Sequence, residues 1–518
     1  MHMPPTANAG MNAALVVLLL AALAPTATQV AAAEDDALPI GSRRELFVDD
    51  YLVDRLSDGA RLQLHHPTPR DIVLVHDAPW EGTGSGYHSV FQDGDRYRMY
   101  YKAWHLDPQQ GKLDTSRHPL FCCYAESDDG IHWHKPKLGL HEIDGSDQNN
   151  VVMISGKQGP LVVDAGHPAV FKDDNPDASS DAQYKAIFRS SDPGGLLPFK
   201  SPDGIHWSPM TSEPILGGLG AFDSQNLAFW DPTLGKYRGY WRIFTDGVRA
   251  IRTATSDDLV QWDEPHDVTY VDSPVEHLYT NQVKPYYRAP HILIGFPTRY
   301  VDRGWAASTK ELPEREHREL RSSSTKRYGT AMTEGLLMAG RDGVEFKRWN
   351  EAFLRPGIQR PGTWNYGQQY IAWHVVETAA DLEGAPPELS LYATESYWTG
   401  KGSALRRYTL RLDGFVSVTA PLSGGELLTR PLTFTGEQLH LNFATSAAGG
   451  IGVEIQDPDG SPLEGFALED CHEVFGDSID RVVTWKKGGD LNSLAGRPIR
   501  LRFVLKDADL YAIQFADE

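Results

Sequence analysis

The sequence predicts an all-β protein in which a five-bladed β-propeller is followed by a C-terminal antiparallel β-sandwich. Three observations support this prediction. The phrase SDDGIHW at Ser127–Trp133 returns almost unchanged as SPDGIHW at Ser201–Trp207. Short alternating apolar runs surround both copies, with almost no amphipathic helical pattern. The chain has 518 residues, 41% of them hydrophobic, which is enough for a large core and more than one domain.

The repeated phrase is typical of a tight turn. Gly accepts the positive φ that such a turn needs, Asp bonds to nearby backbone, and the Trp that follows packs on the next strand. Weaker copies of the phrase occur at Thr255–Pro265, Gly340–Trp349 and Arg411–Val418. Five copies spaced by about 55 to 85 residues fit five four-stranded blades. A repeated catalytic motif would be unusual, so we interpret the phrase as structural.

Each unit also has a front half with two predicted strands. These halves lie at Gly84–Ala103, His167–Arg189, Phe222–Phe244, Tyr279–Pro297 and Asn365–Trp398. The one helical pattern is a charged insert in unit four, Glu311–Arg327. We therefore assign residues 71–423 to the propeller.

The two ends of the chain are predicted to have different roles. Residues 1–33 resemble a signal peptide, because a twelve-residue apolar run leads to a small-residue site near Ala33. Residues 34–70 form an extension in which Arg44–Asp54 is expected to be a strand on the last blade that helps close the ring. Residues 424–518 are short alternating strands joined by Asp-Gly or Gly-Gly turns, typical of a sandwich.

Charge and composition narrow the choice of partners. The net charge is -21, which disfavours nucleic acid and weighs mildly against a polysulfated substrate unless a local basic patch exists. Only three cysteines occur, too few for a disulfide framework. Outside the predicted signal peptide, no segment has eighteen uninterrupted apolar residues, so we expect no membrane span. Because of the signal peptide, we expect a secreted or periplasmic protein. The oligomeric state is not predicted.

A cleavable leader, a propeller with D-G-x-x-W turns and a sandwich ending in ADLYAIQF (Ala508–Phe515) together resemble glycoside hydrolase family 32 and its relatives, families 43, 68 and 117. The Trp-Met-Asn-Asp-Pro-Asn-Gly, Arg-Asp-Pro and Glu-Cys motifs of family 32 are absent. Trp230-Asp231-Pro232 matches part of one motif, but it lies at a predicted hairpin turn. The resemblance therefore implies hydrolysis of a glycoside in a propeller pocket, without the fructosyl chemistry of family 32.

The predicted inner strands begin with amides and aromatic rings, which suit hydrogen bonding to and stacking on a sugar. Including the two histidines and one arginine near them, the candidate substrate-binding residues are Tyr87, His88, His167, Gln225, Asn226, Asn281, Gln282, Arg299, Trp364, Tyr366 and Gln368; Tyr279 has a similar position. The alternative is that some amides only satisfy backbone groups in a wet channel.

Glycoside cleavage usually needs two carboxyl groups that flank the scissile bond. Asp223 is the first candidate, because it opens an inner strand after a Gly-rich approach. Glu276 and Glu81 stand just before two other inner strands. The reserve candidates are Glu334, Glu377 and Glu395.

An acidic loop offers a weak calcium pattern. Asp173, Asn175 and Asp177 alternate as EF-hand ligands do, but Ala178 and Tyr184 replace the required Gly and Glu. We therefore expect an acidic blade loop and no cofactor.

The leading hypothesis is a secreted glycoside hydrolase that acts on a poly- or oligosaccharide. One alternative is a non-catalytic carbohydrate-binding propeller. Another is a sialidase-like exo-glycosidase, although the Ser-to-Trp phrase is one residue shorter than the sialidase Asp-box and the units number five rather than six. Two carboxylates facing each other less than about 10 Å apart favour hydrolysis, and a mouth of aromatic rings alone favours binding.

Overall fold

The computed structural model describes residues 37–517, and the predicted signal peptide lies outside this range. Five separate antiparallel sheets follow one another around a channel, which confirms the five-bladed propeller. In blades one to four, four successive strands run from the innermost strand outward, while the outermost strand of blade five comes from earlier in the chain.

The first two blades are each contained in one stretch of chain. The strands of blade one are Gly86–Asp93, Arg96–Ala103, Phe121–Ser127 and Val151–Ile154. The strands of blade two are Leu161–Lys172, Tyr184–Ser191, Gly194–Ser201 and Ser208–Pro209, with Gly156–Gln158 beside the first. A small hairpin, Asp107–Gln109 with Lys112–Asp114, projects from blade one.

Blades three and four follow the same plan. The strands of blade three are Leu227–Asp231, Lys236–Thr245, Val248–Ser256 and His266–Asp267. Those of blade four are Lys284–Tyr286, Ala289–Gly295, Met338–Gly340 and Glu345–Arg348, with Thr269–Val271 parallel at the edge.

Blade four carries the insert that the sequence predicted as helical. A two-stranded ribbon, Thr298–Asp302 with Ala331–Gly335, encloses it. Three helices lie within, at Ala307–Lys310, Arg315–Ser324 and Arg327–Thr330.

Blade five is completed by a strand from the N-terminal part of the chain. Val376–Thr378, Glu388–Glu395 and Ala404–Arg411 are followed outward by Thr68–Val75, which pairs with the third strand. The ring is thus closed by a strand that lies later in the chain than predicted. Arg44–Asp54 does not lie on this blade; Glu45–Leu46 and Val53–Ser57 instead pair with strands near the C-terminus.

The C-terminal unit is a large antiparallel sheet with its own core. Its two longest strands, Gln438–Gln456 and Arg500–Ala516, pair along most of their length and bend at two shifts of register. Its other strands are Val416–Ala420, Gly425–Thr429 and Asp477–Val482, joined by the N-terminal strands Glu45–Leu46, Val53–Ser57 and Arg61–Leu64. Leu38–Gly41 and Leu432–Phe434 form a separate two-stranded parallel sheet beside it. Strands from the predicted segments 34–70 and 424–518 therefore pair with each other.

Short 3₁₀ turns lie at Ser180–Ala182, Leu468–Asp470 and Asn492–Leu494. The C-terminal core contains aliphatic side chains from both long strands together with Phe466 and Trp485. Other hydrophobic clusters lie between neighbouring blades.

The repeated phrase forms the predicted turn after the third strand of a blade. In the first copy, Asp129 Oδ1 accepts from the backbone N–H of Ile131 and His132, each at 2.8 Å. Asp203 makes the same bonds to the second copy at 2.8 and 2.9 Å. The turn leads to the fourth strand, so its recurrence marks a fixed place in each blade rather than a site.

Candidate active site

One mouth of the channel is lined by the residues that begin the inner strands. Each blade contributes one side chain: Tyr87, His167, Asp223, Tyr279 and Tyr366. The Tyr87 and His167 rings lie 5.7 Å apart, and the Tyr366 hydroxyl is 3.0 Å from the Tyr279 hydroxyl. These contacts bring together four of the predicted site residues and Tyr279. We call this end the tyrosine mouth.

Asp223 lies at the rim of the tyrosine mouth and is held by a histidine. His167 Nε2 is 3.0 Å from Asp223 Oδ1, while His167 Nδ1 is 2.9 Å from Asp164 Oδ2. The Asp223 side chain is 66% exposed, whereas those of His167 and Asp164 are buried. In residues 37–517, Asp223 Oδ2 has no hydrogen-bond partner. One carboxylate oxygen is therefore anchored and the other faces solvent.

Opposite charges set the protonation of this triad. The hydrogen bond from His167 holds the pKa of Asp223 well below its usual range, with help from Arg242 and Arg189. Burial by itself lowers the pKa of His167, but Asp164 and Asp223 more than offset it, so the pKa is raised overall. Asp223 is thus an ionised carboxylate, and His167 carries a proton more readily than a free histidine.

The two carboxylates of the triad are close to each other. Arg189 Nη1 lies 3.3 Å from Asp164 Oδ2 and 3.9 Å from Asp223 Oδ1, so these oxygens are at most the sum of the two distances, 7.2 Å, apart. This upper limit lies below the separation of about 9.5 Å that is the largest used by glycosidases. Asp164, however, is buried and bonded to His167, Arg189 and the Gly166 N–H. It orients His167 rather than facing a substrate.

Further aromatic rings extend the tyrosine mouth. Tyr370, Tyr397 and Trp398 pack with Tyr87, Tyr279 and Tyr366 in one cluster. The Tyr87 and Tyr370 rings are stacked 5.9 Å apart, and those of Tyr279 and Tyr370 are 5.5 Å apart. Sequence reasoning missed Tyr370 and Tyr397, although both lie in the blade-five stretch Asn365–Trp398 that it had located.

Positively charged side chains approach the same rings. Lys102 Nζ lies 4.4 Å from the centre of the Tyr87 ring and 3.1 Å from the Tyr397 hydroxyl. The guanidinium groups of Arg242 and Arg249 each lie 5.1 Å from the centre of the Tyr279 ring. Arg327 lies over Tyr328 and Tyr366 at 4.8 and 5.8 Å. Two of these cations could have been found in the sequence, because each is a charged residue inside an apolar strand: Lys102 in YYKA and Arg242 in YWRIF.

The insert of blade four forms one wall of the tyrosine mouth. Arg321 is fully buried and donates to the Trp398 carbonyl and to Asn365 Oδ1, each at 2.8 Å. Arg318 donates to the carbonyl groups of Thr363 and Trp364. Burial lowers the pKa of Arg321 to about 9 and that of Arg318 to about 10. These two arginines fix the insert to blade five, which places Arg327 beside the rings.

Glu81 does not reach the tyrosine mouth, contrary to our expectation. Its side chain is fully buried and accepts from the Tyr101 hydroxyl at 2.5 Å and from Lys135 Nζ at 2.6 Å. His88 lies in the same buried region, where its Nε2 is 3.0 Å from His76 Nε2, and burial lowers its pKa well below the usual value. Both residues contact protein rather than an open surface.

Glu276 and Arg299 also lie in a salt-bridge network. Glu276 pairs with Arg299 at 3.1 Å and with Arg348 at 3.0 Å, and Arg299 pairs with Glu334 at 2.9 Å. Within residues 37–517, Glu276 has no contact with Asp223. The remaining reserves are likewise engaged, since Glu395 pairs with Arg406 and Glu377 accepts from Tyr287.

The predicted amides lie deeper in the channel, where they bond mainly to protein. Gln225 Nε2 donates to the carbonyl groups of Tyr87 and Pro168, and Gln225 Oε1 accepts from Gln282 Nε2 at 2.7 Å. Asn226 donates to two carbonyl groups of its own loop. These bonds agree with the alternative given above, in which the amides bond to backbone groups rather than to a sugar.

The other amides and Trp364 are bonded in a similar way. Asn281 Oδ1 accepts from the Val283 N–H at 3.4 Å, and Gln368 Oε1 accepts from the Trp364 N–H. The indole of Trp364 donates to the Gly357 carbonyl at 2.9 Å.

The acidic loop of blade two is engaged by protein groups. Asp173 Oδ2 pairs with Lys185 and accepts from the Tyr237 hydroxyl at 2.8 Å. Asn175 donates to the same hydroxyl at 3.0 Å. In residues 37–517, no group of three or more His, Cys, Asp or Glu side chains is arranged to hold a metal ion.

A large cavity of about 600 Å³ lies at the opposite end of the channel. It is lined by the ends of inner strands, including Lys284, His374 and Glu377, and Asp223 does not contact it. We nevertheless place the candidate active site at the tyrosine mouth, because the exposed, ionised carboxylate of Asp223 is held there by the hydrogen-bonded pair His167–Asp164.

No helix within residues 37–517 is long and apolar enough to cross a membrane. No protein-family model and no curated protein matches the chain.

Solved structures that resemble the chain include several glycoside hydrolases. One is a family 43 arabinoxylan arabinofuranohydrolase from Bacillus subtilis, with 12% identity, a TM-score of 0.41, and coverage of 85% of this chain and 97% of that one. Another is a family 117 glycoside hydrolase from Zobellia galactanivorans, with 12% identity, a TM-score of 0.37, and coverage of 68% and 91%. A third is a putative glycoside hydrolase from Parabacteroides distasonis, with 14% identity, a TM-score of 0.40, and coverage of 68% and 96%. The five-bladed propeller expected from the sequence rests on the sheet topology of the structure itself.

Proposed function

We propose that the protein hydrolyses a glycosidic bond at the tyrosine mouth, with Asp223 as the carboxylate that acts at the anomeric carbon. The observation that carries the proposal is Asp223 itself, because it is ionised, exposed and held by a buried His167–Asp164 pair. A free carboxylate oxygen in a ring of tyrosines fits both requirements of glycoside cleavage, since the rings bind the sugar and the oxygen acts as base or nucleophile.

His167 is the proton donor that the arrangement favours. Its pKa is raised, and Asp164 holds the Nδ1 side of the ring, so the Nε2 proton faces Asp223 and the tyrosine mouth. In the proposed step, the bond between the anomeric carbon and the leaving oxygen breaks, and His167 gives its Nε2 proton to that oxygen. A water oxygen bonds to the anomeric carbon and gives one proton to Asp223, from which it returns to His167. This assignment replaces the carboxylate pair of Asp223 with Glu276 or Glu81, because Glu276 is paired with Arg299 and Arg348 and Glu81 is buried against Tyr101 and Lys135.

The test compares the wild type with Asp223→Asn on aryl glycosides and on digests of plant, algal and microbial polysaccharides, with reducing ends as the readout. We expect hydrolysis by the wild type and a fall in kcat of at least about a hundredfold in Asp223→Asn, because general acid or base catalysis contributes that much or more. Asp267→Asn is the control, since Asp267 is an exposed residue paired with Arg252 in blade three. Equal turnover by the wild type and Asp223→Asn would show that Asp223 is not catalytic.

A carbohydrate-binding propeller is the second candidate function. The tight packing of Tyr87, Tyr279 and Tyr366 favours it, because stacked rings alone bind sugars without cleaving them. Binding of oligosaccharides without any release of reducing ends across the panel would support this alternative. Secretion is part of the leading proposal and is tested separately, by the N-terminal sequence of protein recovered outside the cytoplasm.

A further inference from the structure

Four cations at the tyrosine mouth lack a direct salt bridge. Lys102, Arg242, Arg249 and Arg327 form no ion pair with any carboxylate of residues 37–517. Many other arginines of the propeller are paired, as Arg238 is with Asp231 at 3.0 Å and Arg407 is with Glu388 at 2.7 Å, while Arg318 and Arg321 donate to carbonyl groups instead. A cluster of unpaired cations is notable in a chain whose net charge is -21.

These cations also keep unused hydrogen-bond donors. Lys102 has three N–H donors and one recorded acceptor, the Tyr397 hydroxyl at 3.1 Å. The Arg249 Nε and Arg327 Nη1 atoms are buried and have no partner among the described residues. Arg242 donates through Nε to the Ala221 carbonyl at 3.0 Å and forms no other recorded hydrogen bond. Buried donors without acceptors cost free energy, so their retention points to a ligand that supplies the acceptors.

The aromatic contacts explain the positions of the cations but not their free donors. A cation over a ring face is attracted by the negative charge of that face, while the guanidinium N–H groups point outward in the plane of the group. Tyr279 holds Arg242 and Arg249 in this way, and Tyr87 holds Lys102. The rings thus fix the cations at the tyrosine mouth, and those N–H groups that have no acceptor are left for another molecule.

Asp223 cannot neutralise this set by itself. Asp164 is already bonded to His167 and Arg189, so Asp223 is the one exposed carboxylate that acts on Lys102 and Arg242. Burial lowers the pKa of Lys102 to about 8, which shows how weakly the nearby carboxylates compensate its charge. The tyrosine mouth is therefore a basic site within an acidic protein.

We propose that the glycoside bound at the tyrosine mouth is anionic, and that Lys102, Arg242, Arg249 and Arg327 bind its carboxylate or sulfate group. Both groups offer several acceptor oxygens, which arginine and lysine bind through charge-assisted hydrogen bonds. The inference rests on the proposed function in that it places the sugar at this mouth. It adds the class of sugar, a uronic acid or a sulfated ring.

The experiment separates charge from cleavage by using chemically matched glycans. Oligosaccharides from glucuronoxylan and polygalacturonate are tested before and after reduction of their carboxyl groups to hydroxymethyl groups. Oligosaccharides from carrageenan are tested before and after desulfation. Binding to Asp223→Asn is measured by calorimetry, and cleavage by the wild type is measured through reducing ends. We expect at least one anionic set to bind at least tenfold more tightly than its neutral counterpart, and the responding set distinguishes carboxylate from sulfate.

Two variants test the cations directly. Lys102→Met and Arg249→Gln should each weaken binding of the anionic oligosaccharide by about tenfold or more, the loss expected for one charge-assisted hydrogen bond. The matched control is Arg252→Gln, because Arg252 lies on the same strand as Arg249 but is paired with Asp267 at 2.6 Å. Its affinity for the anionic oligosaccharide should equal that of Asp223→Asn. If Lys102→Met does not fold, Arg249→Gln decides, because Arg249 is only partly buried.

The outcomes separate this inference from the proposed function. Charge-dependent binding without cleavage would support the anionic ligand and overturn the hydrolase. Cleavage confined to neutral glycans, or binding that neither reduction, desulfation nor the two variants weaken, would overturn the anionic ligand. Failure of every anionic oligosaccharide to bind would also overturn it.

Discussion

His167 lies between two carboxylates, which leads to a prediction about pH. The charge of Asp164 is one of the causes that raise the pKa of His167. Asp164→Asn keeps a hydrogen-bond acceptor for Nδ1 but removes that charge, so the pKa of His167 should fall. A proton donor with a lower pKa is lost at lower pH. We therefore expect the alkaline limb of the kcat profile to move to lower pH, with kcat at pH 8 reduced by about tenfold.

The measurement is a full pH profile of wild type, Asp164→Asn and the control Asp181→Asn, whose carboxylate is exposed and pairs with Lys200. A structural loss alone would lower kcat at every pH without moving the limb. An alkaline limb that stays in place would show that His167 is not the proton donor.

The sequence located some site residues because they begin inner strands. Asp223, His167, Tyr87 and Tyr366 could be found in this way, since blade turns fix where each inner strand starts. Glu81 and Glu276 occupy similar sequence positions, yet Lys135 binds the first and Arg299 and Arg348 bind the second. Those partners are distant in sequence, so no local pattern could have shown that the two carboxylates were already paired.

At the level of secondary structure, the repeated turns also join neighbouring blades. The carbonyl of Gly204 accepts from the Tyr100 hydroxyl at 3.0 Å, and that of Gly343 accepts from Tyr240 at 2.8 Å. The carbonyl of Gly130 accepts from Tyr392 at 2.5 Å, which links blade one to blade five. In these three copies, the turn accepts a hydrogen bond from a tyrosine in the second strand of the preceding blade.

The third copy departs from the pattern for a visible reason. Leu259 replaces the glycine there and has a φ of 70°. The second strand of blade two has Ile187 where blade one has Tyr100, and both Ile187 and Leu259 lie in one buried hydrophobic cluster. An apolar contact therefore replaces the hydrogen bond. The sequence predicted the turn but not this exchange, because the two residues belong to different blades.

The hydroxyl bonds predict a measurable loss of stability. Tyr392→Phe and Tyr100→Phe each leave a buried carbonyl without that donor, so we expect each to lower the free energy of unfolding by about 1 to 2 kcal/mol. Urea unfolding followed by tryptophan fluorescence measures this change. Tyr51→Phe is the control, because the Tyr51 hydroxyl has no recorded hydrogen bond in residues 37–517, and its ring contact with Arg341 remains. Losses no greater than that of Tyr51→Phe would contradict this role.

At the scale of the whole molecule, the N-terminal strands interleave with the C-terminal unit. Strands between Glu45 and Leu64 join that sheet, and Leu38–Gly41 pairs with Leu432–Phe434, before Thr68–Val75 completes blade five. The sequence predicted a propeller and a following β unit, because both have strong local turn signals. It could not assign the N-terminal strands, since pairing between residues hundreds of positions apart leaves no local pattern. The layering of the C-terminal sandwich stays a prediction.

The fifth copy of the turn connects the two units through Asp413. Its side chain is fully buried and accepts from Tyr286 and Arg288 of blade four, each at 2.8 Å. It also accepts from Arg44 at 3.3 Å and from Asn442 of the C-terminal sheet at 3.0 Å. One carboxylate thus joins blade four, the N-terminal segment and the C-terminal sheet at the end of blade five.

Asp413→Asn should therefore weaken the whole assembly rather than one blade. Removing one partner of a buried ion pair costs about 3 to 5 kcal/mol, because Arg44 and Arg288 lose their counter-ion. We expect the melting temperature to fall, and the calorimetric transition to broaden or divide as the propeller and the C-terminal unit unfold separately. Asp459→Asn, an exposed turn residue of the C-terminal unit, should change neither. A sharp single transition at the wild-type temperature in Asp413→Asn would mean that the units are held together by their strand pairing and apolar contacts alone.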